Sequence, residues 1–188
     1  YGKLLNAGQT CIAPDYSLVP SSLVDAFADK VHSRMIAMYG RDPGNRDYTS
    51  IISDRHYARL ESLVADAAAQ GARIVQCAKP DDVAWKSQRK FPPTLIVGAT
   101  ADMMVMREEI FGPVLQMVRV DDAQAAMHLA TRHPYGNGVA IFTRDGGAAR
   151  NFAAQIEVGM VGINVPIPVP VSYYSFGGWK RSGFGDHN

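Results

Sequence analysis

Segments with helical periodicity alternate with short runs of β-branched residues along this chain of 188 residues, and this alternation limits the folds that it can adopt. Short strands that alternate with amphipathic helices pair mainly in parallel, through crossover connections. We therefore predict an α/β fold with an open, mostly parallel twisted sheet flanked by helices. The predicted strands cover residues 15–19, 73–77, 94–97, 114–120, 139–142 and 158–164, and the predicted helices cover 23–38, 54–70, 123–133 and 145–156.

The sequence also predicts where the helices begin and which faces they bury. Ser21 or Ser22 is the predicted N-cap of the first helix, and Asp121 or Asp122 is that of the third. The basic run at 86–90 lies in a polar connector and is predicted to be a solvated loop. Apolar residues at three- and four-residue intervals mark a buried helical face, which comprises Leu23, Val24, Phe27, Val31, Met35 and Met38 on the first helix and Tyr57, Leu60, Leu63, Val64, Ala67 and Ala68 on the second.

The composition of the chain limits the kinds of molecule that it is expected to bind. With 47% hydrophobic and 20% charged residues, the chain has the composition of one ordinary globular domain. A formal net charge of +1 gives no overall field that favours nucleic acid or an anionic membrane. Two cysteines provide no disulfide framework, so the reducing cytoplasm is the expected compartment. We expect a small-molecule partner, with no nucleic acid, no membrane and no metal.

The corner at residues 6–11, Asn-Ala-Gly-Gln-Thr-Cys, contains the first candidate for chemistry. It places Cys11 after a short apolar helical segment and a glycine, directly before an extended run. A thiolate at such a corner can attack a carbonyl carbon and form a covalent adduct. From these residues alone, a buried small hydrophobe remains the alternative. Cys77 closes a short strand and is predicted to pack in the core.

A cysteine–histidine hydrolase is a competing interpretation of Cys11. It needs a histidine close to the thiol to lower its pKa or to orient it. None of the five histidines has sequence neighbours that indicate such a dyad. His56 is expected on a helix, at the surface or partly buried. The five are His32, His56, His128, His133 and His187.

Glu108 and Glu109 form the second candidate site. Neighbouring side chains of an extended segment point to opposite faces, so we expect one carboxylate to face solvent and the other to face inward. A carboxylate that accepts two ribose hydroxyls is a standard way to fix a dinucleotide, and a solvated acidic turn is the alternative. The glycine-rich stretch 176–185 lacks the spacing of a phosphate loop and predicts a tight turn. Glu109, Asn164 and this stretch lie near strand ends, where α/β sheets bind ligands.

Three stretches, 8–11 (Gly-Gln-Thr-Cys), 107–114 and 176–185, resemble in this order the catalytic domain of the aldehyde dehydrogenase superfamily. The resemblance implies that Cys11 attacks an aldehyde to give a thiohemiacetal, that hydride passes to NAD or NADP, and that the resulting thioester is hydrolysed or transferred to coenzyme A. It implies that Glu109 binds the nicotinamide ribose and that Phe111 packs near the nicotinamide ring. It also implies that Phe176 lies at the substrate entrance, and that the Cys11 N–H forms half of an oxyanion hole.

The two halves of the chain resemble different branches of this family. Residues 6–16, 47–52 and 92–95 resemble coniferyl aldehyde dehydrogenases. The part from about Tyr135 onward, 159–170 above all, resembles methylmalonate-semialdehyde dehydrogenases, which form acyl-coenzyme A and usually carry Arg where this chain has Thr10. The surroundings of Cys11 therefore favour hydrolysis to a carboxylic acid, with coenzyme A transfer as the alternative.

The resemblance also implies a division of the whole protein. Residues 1–188 match the catalytic segment, while the dinucleotide-binding domain, the general-base Glu and the C-terminal oligomerisation strand are expected outside this chain. A start at Tyr1, directly before a motif, fits a segment of something longer. We expect a homo-oligomer at full length and an inactive isolated segment. A catalytically silent α/β fragment that only associates with partners is the rival from another class.

Overall fold

The computed structural model describes residues 1–79 and 82–183, and the backbone of 186–187. Phe184, Gly185 and the side chain of His187, which the sequence analysis singled out, lie outside the described residues. The chain forms two compact units, Tyr1–Val120 and Asp121–Asn188.

The first unit is built on a four-stranded sheet that confirms the predicted fold class. Strand β4 (Val114–Val120) pairs in parallel with β1 (Tyr16–Pro20) on one side and with β3 (Thr94–Val97) on the other. Strand β2 (Arg73–Gln76) pairs antiparallel with β3 at the edge, so the order is β1-β4-β3-β2. All of β3 and most of β4 are buried, as expected for strands covered on both faces.

The described part of this unit includes the α-helices α1 (Val24–Tyr39), α2 (Asp54–Ala69), α3 (Val83–Ser87) and α4 (Met104–Arg107). Helix α2 begins where predicted, with the Ser53 side chain accepting a hydrogen bond from the His56 N–H at 3.2 Å. The positions predicted to be buried on α2 are buried, except Ala68, which is exposed. The period of the apolar residues therefore located this helix and its core-facing side correctly.

The predicted N-cap of α1 is wrong, although the helix begins within one residue of the predicted start. The chain first makes a 3₁₀ turn (Ser21–Leu23), and α1 follows with no side-chain cap from either serine. The buried stripe consists of Val24, Ala28 and Met35. Phe27 and Met38, predicted in the core, are exposed because they flank this stripe, and Leu23 is exposed because it lies in the 3₁₀ turn.

The polar connector at 78–90 is not simply a solvated loop. It contains α3, whose Trp85 is buried with its ring centroid 6.2 Å from that of Tyr48. Lys90 is buried as well and donates from its ammonium group to the Asn45 carbonyl at 2.5 Å. One aromatic residue in a polar run carries no periodicity, which explains why the pattern missed this helix.

The second unit contains helices α5 (Ala123–Arg132) and α6 (Gly146–Gln155). Asp122 and Asp145 cap them by accepting hydrogen bonds from N–H groups of the first turn, and the Asp122 cap confirms one of the two predicted alternatives. The strands are β5 (Tyr135–Gly136), β6 (Gly138–Ile141), β7 (Met160–Ile163), β8 (Phe176–Gly177), β9 (Trp179–Lys180) and β10 (Asp186–His187).

Pairing in this unit is mixed. Strands β6 and β7 are parallel, whereas β5 pairs antiparallel with β9 and β8 with β10. The glycine-rich stretch 176–185, predicted to form a tight turn, includes the short strands β8 and β9 among its described residues. Within the described part of the chain, no helix is long and apolar enough to span a membrane.

Candidate active site

The corner that carries Cys11 is a strained turn. Asn6, Ala7 and Gly8 follow one another in the left-handed region, with φ values of 51°, 52° and 74°. Residues other than glycine adopt this conformation only at a cost, and several in succession are rare, so the surrounding structure must hold them there. The thiol-bearing residue Cys11 is exposed three positions further on, as a nucleophile requires.

Gln9 fixes this corner to the loop before α2. Its amide nitrogen donates to the Ser50 carbonyl at 3.0 Å, and its side-chain oxygen accepts from the Ile52 N–H at 2.9 Å. The same amide also donates to the Asn6 carbonyl, at 3.1 Å. These bonds use both ends of the Gln9 side chain, so the residues before Cys11 have little freedom to rearrange.

The backbone of this corner contacts the segment that carries Glu109 and Phe111. A Cβ atom built on Gly8 would lie only 2.2 Å from the carbonyl oxygen of Gly112. On Gly112, a Cβ atom would lie 2.5 Å from a methyl carbon of Leu60 on α2. Two motifs that are a hundred residues apart in sequence are thus packed backbone against backbone, which only glycine permits.

Helix α2 holds three consecutive carbonyl groups of that segment. Arg59 donates to the Glu109 carbonyl and, at 2.9 Å, to the Ile110 carbonyl. His56 Nε2 lies 2.8 Å from the Phe111 carbonyl and must carry the proton, since a carbonyl oxygen only accepts. Phe111 itself is left-handed, with φ of 49°. This role of Arg59 was not predicted from the sequence. The only sign of it in the sequence is that a cation follows His56 by three residues, on the same face of the helix.

The prediction that one of the two glutamates faces inward is wrong, because both are exposed. Ile110 takes the inward position and is fully buried, while the glutamates follow directly after the short helix α4. The Glu108 carboxylate accepts from Arg59 at 3.3 Å. Arg59 on α2 is thus the ion-pair partner of Glu108.

An ion pair between a buried lysine and a half-buried aspartate lies close to both motifs. Lys3 is 5% exposed, and its ammonium group donates to Asp15 Oδ1 at 3.0 Å. The other carboxylate oxygen of Asp15 accepts from the Ile110 N–H at 3.2 Å. Burial lowers the pKa of Lys3, although the carboxylates of Asp15 and Glu109 act in the opposite direction. The field of Glu109 therefore reaches the buried lysine.

The second cysteine has the properties of a packing residue. Cys77 is 4% exposed and belongs to the core cluster that contains Leu95 and Met117. Burial raises the pKa of the Cys77 thiol to about 11, which keeps it protonated near neutral pH. Only the thiolate is a strong nucleophile, so the environment of Cys77 disfavours reactivity.

The remaining candidates lie in the second unit. Phe176 is half-buried on β8. Asn164 closes the parallel pair β6–β7: its N–H donates to the Ile141 carbonyl at 2.8 Å, and its side chain exchanges two hydrogen bonds with the Thr143 backbone. An open groove of about 410 Å³ is lined by β7 and by residues between Val165 and Ser175. Among the described residues, no group of three His, Cys, Asp or Glu side chains is placed to hold a metal ion.

Sequence comparison identifies relatives over the whole chain. The pattern that defines the aldehyde dehydrogenase family matches residues 1–188. Malonate-semialdehyde dehydrogenase of Pseudomonas aeruginosa is 42% identical over 186 residues, which cover 96% of this chain and 37% of the relative. A probable coniferyl aldehyde dehydrogenase of Caulobacter vibrioides is 35% identical and covers 100% of this chain and 39% of its own length. The chain thus spans less than two fifths of either relative.

Solved structures agree with this assignment. Methylmalonate-semialdehyde dehydrogenase from Oceanimonas doudoroffii matches with a TM-score of 0.88 at 42% identity, over 98% of this chain and 39% of that one. Betaine aldehyde dehydrogenase from Staphylococcus aureus, solved in complex with NAD⁺, matches with a TM-score of 0.87 at 32% identity, over 98% and 37%. Coniferyl aldehyde and methylmalonate-semialdehyde dehydrogenases, the two branches that the halves of the sequence resemble, are both among these relatives, which confirms the resemblance, although each relative matches along nearly the whole chain.

Proposed function

Because this chain belongs to the aldehyde dehydrogenase family, we propose that it is the catalytic-domain segment of an enzyme that oxidises an aldehyde to a carboxylic acid with NAD or NADP. Cys11 is the proposed nucleophile. The observation that carries the proposal is the backbone contact between Gly8 and Gly112, which joins the Cys11 corner to the segment of Glu109 and Phe111. A thiol and a cofactor-binding carboxylate must lie on neighbouring segments for this reaction.

In the proposed reaction, the Cys11 thiolate attacks the aldehyde carbon to form a thiohemiacetal. The Cys11 N–H donates to the developing alkoxide, the usual role of a backbone donor at such a position. When bound, NAD or NADP supplies the nicotinamide ring that accepts the hydride from the thiohemiacetal carbon. The thioester left on Cys11 is then hydrolysed: water adds OH to the acyl carbon, and the sulfur leaves as thiolate. The base that activates this water is proposed to lie outside this chain.

The residues present fit the proposed cofactor. The Glu109 carboxylate is exposed and can accept two vicinal hydroxyls, while the half-buried Phe111 ring offers a flat apolar surface two residues away. His56 and Arg59 hold the main chain of both residues, so their side chains start from a fixed backbone. Phe176 keeps its proposed role at the substrate entrance, which rests on the family resemblance.

We expect Glu109→Gln to weaken cofactor binding about 10- to 100-fold, the worth of a hydrogen bond to a charged group. The measurement is an NAD titration of a chimeric enzyme, a full-length member of the family in which this chain replaces the matching segment. Glu108→Gln is the matched control, since that carboxylate is bound to Arg59. Equal and negligible effects of both changes would make the pair a solvated acidic turn.

The fate of the thioester distinguishes two proposed products. Thr10 and the other neighbours of Cys11 resemble the hydrolytic branch, whereas the proline-rich loop after Ile163 resembles the branch that forms acyl-coenzyme A. We expect free carboxylic acid as the product of the chimeric enzyme with aldehyde and NAD, whether or not coenzyme A is present. Product analysis by chromatography tests this. Acyl-coenzyme A as the main product would overturn hydrolysis and make coenzyme A the acyl acceptor.

The last part of the proposal concerns the oligomeric state of the full-length protein and its compartment in the cell. Several large apolar side chains of the second unit are exposed, which favours association with a partner and supports a homo-oligomer at full length. We propose that this assembly is cytoplasmic and that the isolated segment is inactive. The exposed side chains include Tyr135, Phe142, Ile163, Val165, Val169, Val171, Tyr173, Tyr174 and Trp179.

A further inference from the structure

We infer that the ion pair of buried Lys3 with half-buried Asp15 holds Glu109 at a fixed place relative to the Cys11 corner. The inference rests on the proposed role of Glu109 in cofactor binding. Neither residue is expected to touch the cofactor or the aldehyde. Both are positioning residues that act through the main chain at Ile110.

One carboxylate joins the two motifs. Asp15 lies four residues after Cys11, at the start of the extended run that leads into β1. Its Oδ1 accepts from Lys3 at 3.0 Å, and its Oδ2 accepts from the N–H of Ile110, the residue directly after Glu109, at 3.2 Å. The carbonyl of Asp15 also accepts from the Gln116 N–H at 3.1 Å. Residues on both sides of Cys11 are thus tied to the glutamate segment through one side chain.

Together with α2, this side chain restrains the Glu109 backbone at three successive points. Arg59 binds the carbonyls of Glu109 and Ile110, and Asp15 binds the N–H of Ile110. Each peptide group beside Ile110 therefore has a side-chain partner, while the Glu109 side chain stays exposed. A fixed backbone that presents an exposed functional side chain is the arrangement that precise ligand binding requires.

A gain in folding stability does not by itself explain why the protein has this ion pair. Burying a lysine carries a desolvation cost, which lowers the pKa of Lys3 even beside Asp15. Buried ion pairs are often no more stabilising than apolar residues of similar volume. A positioning role makes a different prediction from a stabilising one: loss of the pair should weaken NAD binding only when the Glu109 carboxylate is present.

The test is a double-mutant cycle on the NAD dissociation constant of the chimeric enzyme, measured by calorimetric titration. We expect Asp15→Asn to raise the constant roughly tenfold, within the range of coupling between residues in one network. In the Glu109→Gln background, the same change should raise it less than twofold. Asp25→Asn is the matched control and should have no effect, because its ion pair with Arg73 is exposed.

Lys3→Met provides a second, independent variant. It changes the charge by one unit in the opposite direction to Asp15→Asn, so an electrostatic effect on the NAD phosphates would have opposite signs in the two variants. We expect both to weaken NAD binding. Urea unfolding measures the stability of each variant separately. If Asp15→Asn does not fold, Lys3→Met takes its place in the double-mutant cycle with Glu109→Gln.

Opposite effects of the two variants would overturn the inference, and so would a tenfold loss that is the same with and without Glu109. No effect of Glu109→Gln itself would overturn the proposed role of Glu109, and the inference with it. A large effect of Glu109→Gln with none from Asp15→Asn or Lys3→Met would overturn the inference alone.

Discussion

We expect Cys11→Ala to abolish aldehyde-dependent NAD reduction by the chimeric enzyme. Removal of a covalent nucleophile lowers kcat on the order of 10⁶-fold in a well-studied hydrolase, because the residual binding site cannot replace bond formation. Cys11 is exposed on a corner held by Gln9, so its loss removes no buried packing. The folded structure and NAD affinity should therefore survive. Stopped-flow and steady-state absorbance of NADH measure the loss directly.

Cys77→Ala is the matched control for this result. Its thiol is buried in the core and protonated near neutral pH, since burial raises its pKa to about 11. Its replacement should cost about 1 kcal/mol of stability, as for deletion of one methyl-sized group, and leave kcat within twofold. Normal NADH formation by Cys11→Ala, or its loss in Cys77→Ala with the fold intact, would reverse the two assignments.

We expect Gly8→Ala to be the most destabilising glycine substitution of the first unit. A left-handed alanine costs about 1–2 kcal/mol, and the overlap of its Cβ with the Gly112 carbonyl oxygen adds about 1–3 kcal/mol because backbone must move. The total of about 2–5 kcal/mol is a large part of the stability of a domain. Urea unfolding measures it. The shift also separates the Cys11 corner from the Glu109 segment, so NAD affinity should fall in the fraction that folds.

Gly71→Ala isolates the effect of backbone conformation from that of the contact. Gly71 has φ of +92°, also in the left-handed region, but no atom lies within 4 Å of its added Cβ. It should therefore cost only about 1–2 kcal/mol and leave NAD binding unchanged. Equal losses in Gly8→Ala and Gly71→Ala would mean that the approach of Gly8 to Gly112 has no energetic importance.

The sequence predicted those features that depend on neighbours in the chain. The periodicity of Tyr57, Leu60 and Leu63 located α2, and the β-branched runs located β3 and β4. This works because the spacing of apolar residues along the chain depends on whether one or both faces of an element are buried. Asp122 is one of the two predicted caps of α5, and its partner, the Ala125 N–H, lies only three residues away. The resemblance to the aldehyde dehydrogenases needed only three short motifs in the right order.

The errors arise where the pattern of neighbouring residues does not decide the structure. Both Ser21 and Ser22 have the chemistry of a cap, but the 3₁₀ turn before α1 takes them out of position. Glu108 and Glu109 were expected to alternate, whereas Ile110 takes the buried place. No local pattern reveals that Asp15 binds the N–H of Ile110, because 95 residues separate them.

The most direct test of the proposed role of Cys11 is to identify the acylated residue by mass spectrometry. The base that activates water is mutated in the remainder of the chimeric enzyme, so that the thioester accumulates, and the reaction with aldehyde and NAD is quenched in acid after one turnover. Trypsin cuts after Lys3 and Lys30, which places Cys11 and Cys77 on separate peptides. We expect one acyl group on the Cys11 peptide for each NADH formed. An acyl group on another residue, or a full turnover of NADH with Cys11 unmodified, would contradict it.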